Sequence, residues 1–157
     1  MRLSQRTSMT GPASSTHAEV TAGVVLLRRD GAALLQHRDD KPGLSQAGMW
    51  VPPGGHSEPG ESVEACAKRE FLEETDYECE TLNWLASYDR LREEGMPDSQ
   101  ITFFWALYDG VQPYRCLEGQ DLQFVERHLA DSYPGPPYVT EVWDLAIAAY
   151  RKETDHS

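Results

Sequence analysis

Residues 55–77, GHSEPGESVEACAKREFLEETDY, constrain the fold more than any other part of the chain. They follow the turn Pro53-Gly54-Gly55, in which glycine allows the backbone to approach another group closely. Ser62 is a good N-cap, and apolar residues recur after it at helical spacing. These residues are Val63, Cys66, Ala67 and Phe71. The pattern predicts a helix that begins after Ser62 and ends near Asp76.

Three glutamates of this predicted helix share one face. Glu70, Glu73 and Glu74 stand at positions i, i+3 and i+4, so their carboxylates project from the same side and repel one another. A hard divalent cation with oxygen ligands is the natural compensation, and Mg²⁺ is the usual ion of this kind. An ordinary solvated acidic face is the alternative interpretation of the same spacing.

Segments rich in β-branched and aromatic residues surround the predicted helix. They predict strands at residues 19–29 and 32–38, joined as a hairpin by Asp30-Gly31, and further strands at 50–51, 78–90, 101–108 and 121–125. Residues 39–49 and 92–100 read as loops. A terminal helix is predicted with one apolar face formed by Val142, Leu145, Ala146 and Ala149. This order of elements predicts an α/β (mixed α+β) fold in which helices cover a mixed sheet.

The limits of the domain follow from composition. Residues 1–17 are polar and small, which predicts a disordered N-terminal tail before a single domain at 18–153. They also lack the apolar run of a secretory signal, and no segment of the sequence has the roughly 20 consecutive apolar residues of a membrane span.

The charge of the chain narrows the class of partner. A formal net charge of −12 disfavours binding to a nucleic acid polymer or to an anionic membrane. The three cysteines, Cys66, Cys79 and Cys116, show no zinc-site spacing and no disulfide framework. We therefore expect a cytoplasmic protein, and one that needs a cation if its substrate is a phosphate compound.

The same stretch resembles the signature of the Nudix hydrolase family. That signature runs Gly, five residues, Glu, seven residues, Arg-Glu, an apolar residue, any residue, Glu-Glu, any residue, Gly and an apolar residue. The chain matches it over residues 55–77 with Gly55, Glu61, Arg69-Glu70, Phe71, Glu73-Glu74 and Tyr77, and departs from it with Asp76 in place of the late glycine. Asp tolerates positive φ better than most residues, so we expect the helix to end at Asp76 all the same.

The resemblance implies an α/β/α sandwich with a mixed central sheet, and it implies the site. Glu70, Glu73, Glu74 and the Gly54 carbonyl are the implied ligands of Mg²⁺, with Mn²⁺ as the alternative ion. Glu118, in a Glu-Gly-Gln sequence similar to that of mutator-type nucleoside triphosphate hydrolases, is an implied further ligand. Glu70 is the first candidate for the general base and Glu118 the second. Arg69 is the implied structural support, through an ion pair with Glu61.

The implied substrate is a small nucleotide-type molecule with a diphosphate linkage. It is a nucleoside triphosphate or a nucleoside diphosphate joined to another moiety. A homodimer is compatible with this function. Arg28, Arg38 and Trp50 are candidate substrate-binding residues, with solvated charge and core packing as their alternatives. Two other functions on the same fold are a sensor that binds without turnover and an isoprenoid diphosphate isomerase. The isomerase requires a catalytic cysteine, for which Cys66 is the candidate.

Overall fold

The computed structural model describes residues 2–6, 19–91 and 99–155. Eight strands and two α-helices are formed by these residues, and a 3₁₀ helix spans Arg127–Ser132. The strands are β1 (Arg2–Arg6), β2 (Glu19–Leu27), β3 (Ala33–His37), β4 (Trp50–Val51), β5 (Gly54–His56), β6 (Asn83–Leu91), β7 (Ser99–Leu107) and β8 (Asp121–Val125). The helices are α1 (Val63–Thr75) and α2 (Tyr138–Thr154).

All eight strands belong to one mixed sheet. Its main path runs β1-β6-β7-β2-β3-β4, while β5 pairs with β2 and β8 pairs with β3. The central pair, β2 and β7, is parallel over nine residues, and the other pairs are antiparallel. The predicted hairpin between β2 and β3 and the predicted mixed sheet are both confirmed.

Each face of the sheet is covered by one helix. Because side chains alternate along a strand, Val25 and Leu27 of β2 pack on the α2 side, while Val24 and Leu26 pack on the α1 side. The α1 side is completed by Phe71 and its neighbours, and the α2 side by Trp143 and its neighbours. This is the expected three-layer arrangement. Within the described ranges, neither helix has the length and apolar content needed to cross a bilayer.

Helix α1 has the predicted limits. The Ser62 hydroxyl accepts a hydrogen bond of 3.1 Å from the Ala65 N–H, which is the expected N-cap. At the other end Asp76 adopts φ 59° and ψ 17°, and its N–H donates to the Leu72 carbonyl. The prediction that aspartate replaces glycine in the left-handed cap is therefore confirmed.

The structure differs from the sequence prediction in two short strands and in the start of β6, which begins at Asn83 and not at residue 78. Gly54–His56 forms β5, although two glycines disfavour a strand, because the absence of a Cβ at Gly54 lets it lie against the Ala22 carbonyl of β2. Arg2–Arg6 forms β1 within the segment expected to be a disordered tail, because the edge of β6 offers unpaired backbone groups. Residues 7–18 of that tail lie outside the described residues.

Helix α2 forms as predicted, but its buried face is rotated. Val142 and Ala146 are fully buried as expected, whereas Leu145 is 38% exposed and Trp143 is buried in its place. The indole Nε1 of Trp143 donates to the Gly31 carbonyl over 2.8 Å, and this bond fixes the rotation of the helix against the β2–β3 turn. Of the predicted loop at 92–100, Ser99 and Gln100 belong to β7 and the rest lies outside the described residues.

Candidate active site

A cavity of about 580 Å³ opens where β2, β5 and α1 meet the loop before β8. Its acidic side is lined by Glu70, Glu74 and Glu118, together with the backbone of Gly54 and Gly55. Ile101 and Phe103 of β7 and Tyr138 of α2 also line the cavity and form its apolar part. The cavity is large enough for a ligand bigger than a diphosphate group, and its lining contains both charged and apolar residues.

Arg69 ties the start of α1 to the turn that precedes it. Its guanidinium makes two bonds to Glu61, Nε to Oε2 over 2.7 Å and Nη2 to Oε1 over 2.9 Å. Nη2 also donates to the His56 carbonyl, and Nη1 donates to Glu70 Oε1 over 2.8 Å. The hydrogen bonds from Arg69 are the main cause that lowers the pKa of Glu61 to about 2. The structure thus places Arg69 and Glu61 together, as the resemblance implies.

Glu70 lies against a glycine that leaves it room. Its side chain is 17% exposed and lines the cavity. A Cβ added at Gly55 would overlap the Glu70 carboxylate, so only glycine at this position allows the carboxylate to occupy its place. The Gly-Gly turn and the glutamate helix are therefore complementary in shape, and this contact holds Glu70 at the cavity.

Glu74 is the most deeply buried glutamate of the site, with 4% of its surface exposed. Its Oε1 accepts the Gly54 N–H over 2.8 Å, and its Oε2 accepts the Gln36 Nε2–H over 3.0 Å. Burial, followed by the neighbouring Glu118 carboxyl, raises the pKa of Glu74 above its ordinary value. A buried carboxyl beside a second carboxyl needs a proton or a cation between them, and this is the arrangement that a metal site provides.

The four carboxylates predicted to bind metal are not all brought together. Glu70, Glu74 and Glu118 line the cavity, whereas the Glu73 side chain is 57% exposed, does not line it, and pairs with Arg69 at 3.3 Å. In the part of the chain that the structure describes, no three His, Cys, Asp or Glu side chains are close enough to enclose an ion. The donors at the cavity are all oxygens and one is the buried Glu74 carboxyl, so their chemistry fits a hard divalent cation.

The three predicted substrate-binding residues lie in different environments. Arg38 lines the cavity, and its Nε donates to the Ser45 carbonyl over 2.9 Å. Arg28 lies outside the cavity lining and is held by two hydrogen bonds to Asp30. Trp50 is buried and stacks on His37 with ring centroids 4.5 Å apart, so its alternative as a core residue describes its position better.

Sequence reasoning missed several polar residues of the cavity, among them Gln36 and Gln46. Gln36 is the one amide in the apolar strand β3, ALLQH, and that interruption is a signal that a buried partner exists. Gln46 accepts a hydrogen bond of 3.1 Å from the Tyr138 hydroxyl and has φ 56°, and a loop glutamine gives no such signal. Phe103 and Tyr138 belong to the apolar part of the cavity lining, although both are nearly fully buried.

Known proteins share this architecture. The model of the NUDIX domain matches residues 17–135. A Bacillus subtilis (strain 168) protein named as a candidate 8-oxo-dGTP diphosphatase is 36% identical over 89 residues, 57% of this chain and 54% of the relative. The chain therefore spans about half the length of that curated relative.

Two solved structures show the same fold. The MutT NUDIX hydrolase of Burkholderia pseudomallei superposes with a TM-score of 0.66 at 24% identity, covering 82% of this chain and 97% of the other. The NUDIX domain of Shewanella oneidensis NrtR, solved in complex with ADP ribose, superposes with a TM-score of 0.69 at 18% identity, covering 87% and 90%. With the domain match spanning most of the chain and the glutamate helix lining a cavity, this protein belongs to the NUDIX hydrolase family.

Proposed function

We propose that this protein hydrolyses a diphosphate linkage in a Mg²⁺-dependent reaction. The substrate is a nucleoside triphosphate or a nucleoside diphosphate joined to another moiety. The observation that carries the proposal is the grouping of Glu70, Glu74 and Glu118 on one cavity, beside a glycine turn that admits a close approach. The relative named for 8-oxo-dGTP and the structure bound to ADP ribose represent the two substrate classes.

The carboxylates lining the cavity, the Gly54 carbonyl and, after a change in its pairing, Glu73 would hold the metal. A bound Mg²⁺ supplies positive charge that neutralises the diphosphate oxygens and polarises phosphorus. A protein with a net charge of −12 needs such a cation to bind an anionic substrate.

The chain's own groups then act on water and substrate. Water attacks phosphorus, the new P–O bond forms as the bridging P–O bond breaks, and a cavity carboxylate accepts the proton of the water. Glu70 is the first candidate for this base, because Arg69 and Gly55 hold its carboxylate at the cavity. Glu118, on the loop before β8, also lines the cavity and is the alternative base.

The apolar part of the cavity lining suits the portion of the substrate beyond its diphosphate. Phe103 and Tyr138 line the cavity with aromatic rings that suit a base, and the Arg38 guanidinium offers N–H donors to a phosphate oxygen or to a sugar hydroxyl. The isomerase alternative finds no support at Cys66, which is fully buried and whose thiol pKa burial raises to about 12. A thiol of this kind is poorly reactive.

A product-release assay tests the proposal. The protein is incubated with Mg²⁺ and a panel of nucleoside triphosphates, nucleotide sugars and dinucleoside polyphosphates, and nucleoside monophosphate and phosphate are measured. We expect release from at least one class, and we expect Glu74→Gln to remove most of it while the circular dichroism spectrum is unchanged. Glu64→Gln is the matched control, because Glu64 lies on the same helix but faces solvent beside Lys68. Equal turnover in wild type and Glu74→Gln would contradict the metal assignment.

A further inference from the structure

We propose that Gln36 is a positioning residue that sets the separation between Glu74 and the loop carrying Glu118. This inference rests on the proposed function, since these two carboxylates are its proposed metal-binding groups. The side chain of Gln36, on β3, is 2% exposed and contacts the carboxylate of Glu74 and the backbone carbonyl of Glu118. Gln36 belongs to the cavity lining, but its amide nitrogen is engaged by two partners within the protein, and we assign its contribution to those two bonds.

One amide group of Gln36 joins two separate elements. Its Nε2 donates to Glu74 Oε2 over 3.0 Å and to the Glu118 carbonyl over 3.3 Å. The amide nitrogen carries two hydrogens, so both bonds can form together. The first partner belongs to α1 and the second to the loop before β8. Gln36 is thus a bridge between the helix and the loop.

The backbone of the loop is held at both ends close to this bridge. The Leu117 N–H donates to the Glu74 carbonyl over 3.0 Å, and the Gln120 N–H donates to the His37 carbonyl over 2.7 Å. Between them Gly119 has φ 85°, and a Cβ there would lie 2.6 Å from the same His37 carbonyl. The loop therefore packs directly on β3 and α1, and Gln36 supplies the side-chain contact at its centre.

The energetics explain why an amide occupies an apolar strand. A buried polar group that makes no hydrogen bond destabilises the fold, and the buried residues Leu34 and Leu35 show that apolar residues suit β3. The two bonds of Gln36 remove that cost. A neutral donor also orients the Glu74 carboxylate without cancelling its charge, whereas a lysine or arginine would compete with the cation that the carboxylates attract.

The test is Gln36→Met, which keeps the length of the side chain and removes the donor. We expect kcat with Mg²⁺ to fall by about 10- to 100-fold, as is typical when a group that orients a metal ligand is lost, with a smaller change in KM. In a Glu118→Gln background the same substitution is expected to have much less effect, because the loop carboxylate that it positions is already absent. Gln100→Met is the matched control, since Gln100 lies on β7 outside the cavity lining and its Oε1 accepts no hydrogen bond from the described residues.

Two further readouts do not depend on turnover. Without metal, the amide hydrogens of Leu117 and Gln120 are expected to exchange faster in Gln36→Met than in wild type or Gln100→Met. In a Mn²⁺ titration of the thermal midpoint, Gln36→Met is expected to need about tenfold more metal for the same rise. If Gln36→Met does not fold, Gln36→Leu replaces it in all three measurements.

The outcomes separate this inference from the proposed function. If the wild-type protein hydrolyses none of the substrates but Gln36→Met still shows faster amide exchange, the bridge is supported and the hydrolase proposal is contradicted. Unchanged exchange of Leu117 and Gln120 would overturn the bridge whatever the activity. Losses in kcat that multiply fully between Gln36→Met and Glu118→Gln would also overturn it, because Gln36 would then act only through the general stability of the fold.

Discussion

The Gly54 N–H donates to Glu74 Oε1 over 2.8 Å, so the glycine turn and the buried carboxylate of α1 are joined by a direct hydrogen bond. Glu70 makes the neighbouring contact, with the open face of Gly55. The turn and the helix are thus two halves of one site. Several measurable consequences depend on how closely these halves fit.

Gly55→Ala is expected to lower kcat by roughly 10²-fold, because the added methyl group would displace the Glu70 carboxylate from the cavity. The carboxylate is the far end of a flexible side chain, so the thermal midpoint is expected to change little. Gly43→Ala is the control with the opposite signature. Gly43 has φ 80° and no atom within 4 Å of an added Cβ, so it is expected to lose stability and keep activity. Full activity in Gly55→Ala would contradict the proposed place of Glu70.

The stability of the metal-free protein is expected to fall as pH rises above about 4.5, the ordinary value for glutamate. The folded state raises the pKa of Glu74, so the proton is held more tightly in the folded than in the unfolded chain. That contribution is complete below the ordinary pKa and is lost as pH rises through the raised value. Thermal midpoints in EDTA over a series from about pH 5 to about pH 8 measure it.

Two controls accompany this pH series. Glu74→Gln is expected to flatten the decline, because the amide does not titrate. Added Mg²⁺ is expected to raise the midpoint more at high pH than at low pH, since the metal binds the deprotonated carboxylates. If the thermal midpoint declines with pH at the same slope in wild type and Glu74→Gln, the decline is caused by groups other than Glu74.

Substitutions at Asp76 measure the left-handed cap. Asp76→Ala is expected to lower the free energy of unfolding by about 1 kcal/mol, because alanine gains nothing from its side chain at φ 59°. Asp76→Gly relieves the backbone but loses the exposed ion pair with Arg115 at 3.0 Å, so its stability is expected to lie close to that of wild type. Urea unfolding of the three proteins gives the order. An alanine variant as stable as the glycine variant would show that the cap carries no strain.

Arg38→Ala and Arg28→Ala form a matched pair. Arg38 lines the cavity, so its loss is expected to raise KM about tenfold, a change typical of one lost charged hydrogen bond. Arg28 pairs with Asp30 away from the cavity, so KM is expected to stay unchanged in Arg28→Ala. Steady-state kinetics on the substrate identified in the release assay measure both. A raised KM in Arg28→Ala would contradict this expectation and support Arg28 as a substrate-binding residue.

Local sequence patterns were enough to predict the features that depend on interactions between residues close together in the sequence. Ser62 caps α1 and Asp76 ends it because helix caps are interactions over three or four residues. The hairpin at Asp30-Gly31 and the strand β8 follow in the same way from turn chemistry and alternation. The resemblance to the family signature at Glu61 and Arg69 was enough to expect the ion pair that the structure contains.

Contacts between distant residues were decided only by the tertiary structure. Gln36 meets Glu74 across 38 residues, and Trp143 sets the rotation of α2 through Gly31 across 112 residues. Arg28 and Arg38 each follow directly after a strand, β2 and β3 respectively. Only Arg38 lines the cavity, because the end of β3 lies at the site. The i, i+3, i+4 spacing of Glu70, Glu73 and Glu74 places them on one helix face and does not show that Glu73 is exposed and pairs with Arg69 while Glu74 is buried. Spacing along a helix determines which side chains share a face, but burial depends on what packs against that face, and here the partners are the glycine turn and the loop of Glu118.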